Sequence, residues 1–342
     1  MRFGLVLPIQ AQGIDLTELT DELAEEVAAA EVAGFDAFFL PEFHQARGGA
    51  LVSPMVVGAA LLTGTSRIRF GQCVLALPLH HPVRLAEDLL MVDWLSGGRV
   101  MLGVGVGHQR PDFAAYGVSH RERHLFFEEA LQIVRHCLEP GPFSFEGRFF
   151  TVEADITPQP RTTPRPPIWV GAHSDTGLAR AARLGDVWVS DPQRDIATIA
   201  RLARTYRRAR EEAGQPVSVA LFREAWIGED RRACEREWGP HAVAMHRLYF
   251  NVGAYQRMFE PWVDEVQDRA EFTIERLAPG RFLYGNGDEI RAEVMEWSSR
   301  TGAEYFALRM RHPGGPSHVR TLEAISRFGA EVIEPLSRRG AA

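Results

Sequence analysis

Apolar runs alternate with amphipathic stretches from one end of the chain to the other. The run "FGLVL" (3–7) precedes "DLTELTDELAEEVAAAEVAG", a helical pattern that Gly34 ends in the usual C-terminal position. "FDAFFLPE" reads as a second strand, and "SPMVVGAALLTGT" as a helix capped by Ser53 with Pro54 in its first turn. A third strand, "IRFGQCVLALP", leads into the helix "PVRLAEDLLMVDWLSGG". A fourth, "RVMLGVGVG", leads into the long amphipathic stretch "SHRERHLFFEEALQIVRHCLE". The hairpin pattern "FSFEGRFFTVE" and a proline-rich segment precede the fifth strand, "IWVGA". Helix 175–184, strand "DVWVS", helix 194–213 and strand "VSVALFREAWI" follow. A mostly helical, irregular stretch at 229–283, helix 288–301, strand "EYFALRM" and helix 317–335 complete the pattern.

Continuous apolar strands between helices predict a parallel sheet covered on both faces. Eight such strand–helix units in sequence predict an α/β fold, a (β/α)8 TIM-like barrel with insertions. The rival is a doubly wound open sheet, but no glycine fingerprint follows the first strand. One barrel domain over 1–342 is expected, with insertions at about 141–167 and 229–283.

Composition narrows the function classes. A net charge of −7 argues against a nucleic-acid binder, which needs a concentrated basic face. The arginine-rich "RLARTYRRAREEAG" reads as a solvated outer helix. The three cysteines, Cys73, Cys137 and Cys234, fit no zinc or disulfide spacing and suit a reducing compartment. The opening apolar run is too short for a secretory signal, and no run approaches the roughly 18 residues of a membrane span. A soluble, cytoplasmic protein is expected.

In a barrel, chemistry belongs at the C-terminal ends of the strands. Glu42 and His44 stand there two residues apart, so an extended chain points both the same way. They read as an acid–base unit, half of a metal site, or polar decoration where a strand meets solvent. His80, His81, His108, His173 and His312 fall on other strand-end loops, so six of the twelve histidines gather at one rim. "GAHSDTG" follows a strand and opens a helix. Its Gly171, Ala172, His173, Ser174 and Thr176 suit a phosphate, while capping by Ser174 or Asp175 is the plainer alternative.

Glycines 103, 105 and 107 share one face of the fourth strand and leave room for a flat ligand or a neighbouring backbone. Arg110 beyond them can meet a phosphate or a surface carboxylate. In "SHRERH", His120 and His124 have a metal-binding spacing, but Ser119 and Glu122 form a capping-box pattern that explains the stretch, and no metal is expected. Trp226, Tyr249, Phe250 and Trp262 read either as core or as a pocket for an apolar guest.

Several of these stretches together resemble the bacterial luciferase-like family of flavin-dependent oxidoreductases. They are "FGLVLP", "GFDAFFLPEFH", "SRIRFGQCVLALPLHHPVRLAEDLLMVDWLSGGRVMLGVGVG", "DFAAYGV", "FEGRFF", "PPIWVGAHSDTGLARAARLGD" and "LEAISRFGAEVIEPL". The resemblance implies a TIM-like barrel, commonly dimeric. It also implies a monooxygenase using dioxygen and reduced FMN from a partner flavin reductase, or a hydride-transfer enzyme using a deazaflavin coenzyme, acting on a small-molecule substrate. It puts the isoalloxazine ring over Cys73 and Val74, where the family often has a non-prolyl cis peptide, and the flavin phosphate at "GAHSDTG". A flavin-binding barrel without turnover is a third reading.

Two departures stand out. Many family monooxygenases read Glu-His-His after the second strand, where this chain has Glu42-Phe43-His44. Many place an arginine in the fourth-strand glycine stretch, where this chain has "GVGH". The resemblance therefore implies acid–base work by His44 oriented by Glu42, with Gly105, His108 and Arg110 as the cofactor contacts nearest the missing arginine.

Overall fold

Apolar strands whose two faces are both buried cannot end in an exposed sheet edge, and here they close on one another. The molecule, a computed structural model, is described for residues 1–11, 13–45, 49–255, 260–266, 268 and 271–339. Its strands are β1 (Arg2–Val6), β2 (Ala37–Leu40), β3 (Arg69–Gln72), β4 (Leu75–Ala76), β5 (Leu102–Gly105) and β6 (Phe143–Glu146). They continue as β7 (Thr151–Ala154), β8 (Ile168–Gly171), β9 (Val187–Val189), β10 (Val219–Ile227), β11 (Phe282–Gly285) and β12 (Tyr305–Arg309).

Every strand pair but one is parallel; β6 and β7 form a separate antiparallel hairpin, as their sequence predicts. The parallel sheet runs β3-β2-β1-β12-β10-β9-β8-β5-β4. β3 and β4 are two pieces of one apolar run, parted only by Cys73–Val74, so the path returns to its start as a barrel. At the seam, Phe70 donates its N–H to the Arg99 carbonyl and accepts from the Met101 N–H, each at 2.8 Å. The Cys73–Val74 peptide is cis.

The pleat sorts the side chains of each strand. On β2, Phe38 points to the layer between sheet and helices and packs on Phe70, while Phe39 points into the barrel and meets Trp169. Phe39, Met101, Trp169, Tyr305 and small alanines fill the barrel centre, which is a packed core rather than a pore. Chemistry is thereby confined to the ends of the strands.

Three features differ from the sequence expectation. β11 is an additional strand that pairs with the far end of β10 through Glu224–Ile227. The long helix begins at Arg123, not Ser119, and the Ser119–Glu122 capping box does not form, because the Glu122 carboxylate is taken by Arg148 of the hairpin loop. His120 and His124 therefore do not share a helical face. The chain between β5 and that helix makes a short helix, Arg110–Ala115. Among the described residues, no helix is long and apolar enough to cross a membrane.

Candidate active site

A cavity of about 310 Å³ opens at the C-terminal ends of the strands, at the lower end of the roughly 300–1,000 Å³ usual for small-molecule sites. Loops after β2, β4, β5, β8, β9 and β10 line it, together with the helices Arg123–Cys137 and Gly239–Asn251.

Glu42 organises one side of the cavity. Its Oε2 accepts from the Ala76 N–H at 2.6 Å, which ties the loop after β2 to the end of β4. Its Oε1 meets His80 Nε2 at 2.7 Å and His44 Nε2 at 3.3 Å. Burial alone would raise this carboxyl, but the contacts with His44, His80 and the Ala76 N–H outweigh it and hold it down at about 2. The Glu42 contact raises His44 above its ordinary value, against the opposing effect of burial. The other ring nitrogen of His44, Nδ1, lies 3.2 Å from the Tyr116 hydroxyl. Glu42 is thus a fixed anion serving two titratable rings.

The floor is apolar, and glycines let its strands approach closely. A Cβ on Gly103 would stand 1.8 Å from the Gln72 carbonyl oxygen, and one on Gly105 2.7 Å from Val74 Cγ2. Gly103 therefore admits the neighbouring backbone beside the cis peptide, the second of the two roles the sequence left open, while Gly105 makes room for the Val74 side chain and lines the cavity. Val74 fills the space between Gly105 and Gly171. Burial pushes the Cys73 thiol up to about 12, so it is an inert part of this floor.

The opposite end is cationic. Arg123 and Arg180 line it with Ser174 and the ring of His124, which burial holds below its ordinary value. Ser174 caps helix Asp175–Leu184, its Oγ accepting from the Gly177 N–H at 3.2 Å. Arg180 is anchored by Glu128 at 3.0 Å. Arg123 donates to the His120 carbonyl at 2.7 Å, but its buried Nε has no partner. A buried donor without an acceptor is costly, so this atom is poised for an anion.

Across the barrel lies a second buried carboxylate. Glu224 Oε2 accepts from Arg309 Nε at 2.9 Å, and Arg309 also contacts Glu224 Oε1 and donates to the Tyr249 hydroxyl at 2.6 Å. His246 and His312 flank Glu224 at 3.4 and 3.5 Å. Burial holds His312 down at about 3 and lowers His246, so both rings are neutral beside their carboxylate.

The sequence-derived candidates separate into groups. Glu42, Cys73, Val74, Gly105, His108, Gly171, Ala172, His173 and Ser174 line the cavity. His44 stands behind Glu42 rather than in the wall itself. Thr176 and Arg110 are exposed and outside the wall; Arg110 begins the short helix whose Asp112 and Phe113 turn inward instead. Of the remaining rim histidines, His80 joins Glu42, His81 is exposed, and His312 is buried with Glu224. Tyr249 lines the cavity, whereas Trp226 is core and Phe250 and Trp262 pack on Phe272.

Sequence reasoning missed Arg123, Arg180 and the pairing of His80 with Glu42. His80 was visible as a rim histidine, but its carboxylate partner is 38 residues away. Arg123 was hidden inside a capping pattern. Among the described residues, no group of three or more His, Cys, Asp or Glu side chains could hold a metal ion.

Residues 1–305 match the family model described as luciferase-like monooxygenase. The chain is 31% identical over 211 residues to an uncharacterized protein, y4vJ, of Sinorhizobium fredii, covering 60% of each. It is 29% identical over 187 residues to the alkanal monooxygenase alpha chain of the Kryptophanaron alfredi symbiont, covering 54% of this chain and 52% of that one. The chain thus spans only about half to three-fifths of these relatives' lengths. Among solved structures, monooxygenase RslO1 from Streptomyces bottropensis superposes with a TM-score of 0.86 at 20% identity, over 98% of this chain and 100% of that chain. The oxygenating constituent of 3,6-diketocamphane monooxygenase from Pseudomonas putida, in complex with FMN, gives 0.78 at 19% identity, over 97% of each. An F420-dependent secondary alcohol dehydrogenase gives 0.74 at 17% identity, over 97% of this chain and 98% of that chain. These structural likenesses share the barrel fold.

Proposed function

The chain belongs to the luciferase-like monooxygenase family, and from that premise we propose that it is a flavin-dependent monooxygenase acting on a small organic substrate with reduced FMN and dioxygen. One observation carries the reading: a single cavity joins an apolar floor, lined by Val74, Gly105 and Gly171, to an arginine-bearing end. A planar ring system bearing a phosphate has that same division.

Val74, Gly105 and Gly171 would support the ring, and Arg123, Arg180 and Ser174 would receive the phosphate. The unpartnered Nε of Arg123 supports that fit. Arg123 thus takes the place that the fourth-strand stretch leaves without an arginine, and Arg110 is set aside. When bound, the reduced flavin supplies the electrons for oxygen activation. The protein's own part is to orient, exclude water and manage protons. His44 holds or releases a proton at Nε2, and ionised Glu42 favours the protonated ring. Tyr116 orients the ring through Nδ1, and Phe43 closes the wall where the first histidine of the family's Glu-His-His is often found. A reductase supplying reduced flavin and a second copy of the chain complete the reading. Exposed Val56, Met91, Trp94 and Leu95 on helices Pro54–Leu62 and Pro82–Ser96 offer apolar surface for that copy.

A deazaflavin-dependent hydride transfer uses the same floor and the same cationic end, and is the second reading. Separate titrations with FMN and with the deazaflavin coenzyme decide between them. FMN binding with accelerated consumption of reduced FMN in air is the expected result. Binding of the deazaflavin alone rejects the monooxygenase.

A further inference from the structure

The wall opposite the floor carries a donor that nothing above uses. β4 and β10 stand on opposite sides of the closed sheet order, and the helix Gly239–Asn251 brings Tyr249 over the β10 side. Tyr249 lines the cavity beside Phe222 and Ala254. Its hydroxyl oxygen accepts from Arg309 at 2.6 Å. The phenol retains its own proton as a donor, and that proton has no acceptor among the described residues. A buried donor left unpaired is unfavourable, so the cavity is the place for its acceptor.

The charge around this donor limits what the acceptor can be. Arg309 holds Glu224 through Nε and through its terminal nitrogen, so its cation is already neutralised. His246 and His312 stand on the other sides of Glu224 and are neutral in their buried setting. A carboxylate placed here would lose its water and gain no net positive charge in return. Arg123, whose buried Nε has no partner, lies at the phosphate end instead.

We propose that Tyr249 is a specificity-determining hydrogen-bond donor, held by Arg309, for a substrate that presents a neutral acceptor oxygen rather than a carboxylate. The inference rests on the flavin reading for which wall the ring occupies. The Glu224–Arg309 pair fixes the phenol oxygen, so the O–H direction is set by the ligand alone. An isoalloxazine carbonyl offers the same chemistry as a substrate carbonyl, and the test separates them.

The probes are acetophenone, labelled with carbon-13 at its carbonyl, and benzoate, which has a similar ring but an anionic oxygen pair. Binding to the FMN-loaded protein is followed by calorimetry, and the labelled carbonyl by infrared difference spectroscopy. Acetophenone should bind about tenfold more tightly than benzoate, with its carbonyl stretch moved to lower frequency. Tyr249→Phe should weaken acetophenone about tenfold and abolish that movement while leaving FMN affinity unchanged. Equal or tighter binding of benzoate overturns the proposal, as does an unmoved carbonyl stretch or no acetophenone binding. If Tyr249→Phe weakens FMN instead, the proton serves the flavin and the substrate assignment fails. Should the variant not fold, acetophenone added to the wild type must produce a tyrosine near-ultraviolet difference band that toluene does not; its absence overturns the proposal. Failure of the flavin reading is recognised separately, since neither FMN nor the deazaflavin would then bind while the acetophenone arm remains readable in the unloaded protein.

Discussion

Two buried carboxylates at strand ends, Glu42 and Glu224, look alike in outline and differ in one partner. Each is flanked by two histidines, His44 and His80 in one case, His246 and His312 in the other. Glu224 also holds Arg309, a cation that cannot give up its charge, and its histidines are sealed and neutral. Among the described residues, Glu42 meets no arginine; its side-chain partners are two histidines that remain partly accessible. A permanent cation locks the first network into a structural and orienting role. Its absence leaves the second free to move protons. A carboxylate with two histidines does not define a working centre by itself; the third partner decides.

The largest effect should come from breaking the locked pair. Glu224→Ala leaves Arg309 buried without its anion, which should cost about 3–5 kcal/mol. Urea unfolding measures this, and the double variant Glu224→Leu/Arg309→Met should recover most of it. A loss below about 1 kcal/mol would remove the distinction between the two centres, since exposed pairs are worth no more than that.

The second effect concerns rate rather than stability. His44→Ala should slow flavin-dependent oxidation about 100-fold while FMN affinity changes little. Unchanged rates would reduce the Glu42 centre to decoration. The pH dependence carries a sign. The folded pKa of His44 is raised, so its pairing with Glu42 stabilises fully below about 6.5 and fades as pH rises through the folded value. Glu42 is depressed to about 2, so its contribution is present above about 4.5 and disappears as pH falls toward 2. Stability of the wild type relative to Glu42→Gln should therefore fall at both ends of the scale.

Much of the barrel was legible because its strands are buried on both faces and read as unbroken apolar runs. β11 was not, because Phe282–Gly285 pairs only with the outer end of β10 and follows an irregular stretch with no periodic lead-in. Glu42 and His44 were legible through strand alternation, a local rule. His80 and the Glu224–Arg309 pair were not, because their partners lie 38 and 85 residues away and only the closed sheet brings them together. Arg123 was obscured by a local pattern that lost to a tertiary one: Glu122 is held by Arg148 instead of capping its own helix.

Arg123 offers a smaller effect that tests the two ends of the cavity. Arg123→Ala should weaken FMN about tenfold, as expected for a lost charge-assisted contact, and leave riboflavin affinity unchanged. Equal losses for both flavins would place Arg123 against the ring or in the structure, not at the phosphate.

The smallest effect comes from a third carboxylate–histidine group, which combines features of the other two. Glu26 holds Arg311, as Glu224 holds Arg309, but it also meets His318 Nδ1 at 3.3 Å, where the ring is only partly covered. His318 Nε2 reaches Glu25 at 2.8 Å, so the ring joins helix His318–Phe328 to helix Leu16–Ala33. Contact with Glu26 outweighs burial and, with Glu25, raises His318 to about 9. Its stabilisation is therefore full below about 6.5 and is lost as pH rises toward 9. His318→Gln should flatten the fall in melting temperature across that window by about 2–4 °C, without changing FMN binding. A permanent cation beside the carboxylate and distance from the cavity together leave this titration only a structural consequence. If the variant altered the pH profile of flavin oxidation, proton traffic would extend beyond the Glu42 centre, and the contrast between free and locked carboxylates would have to be redrawn around accessibility alone.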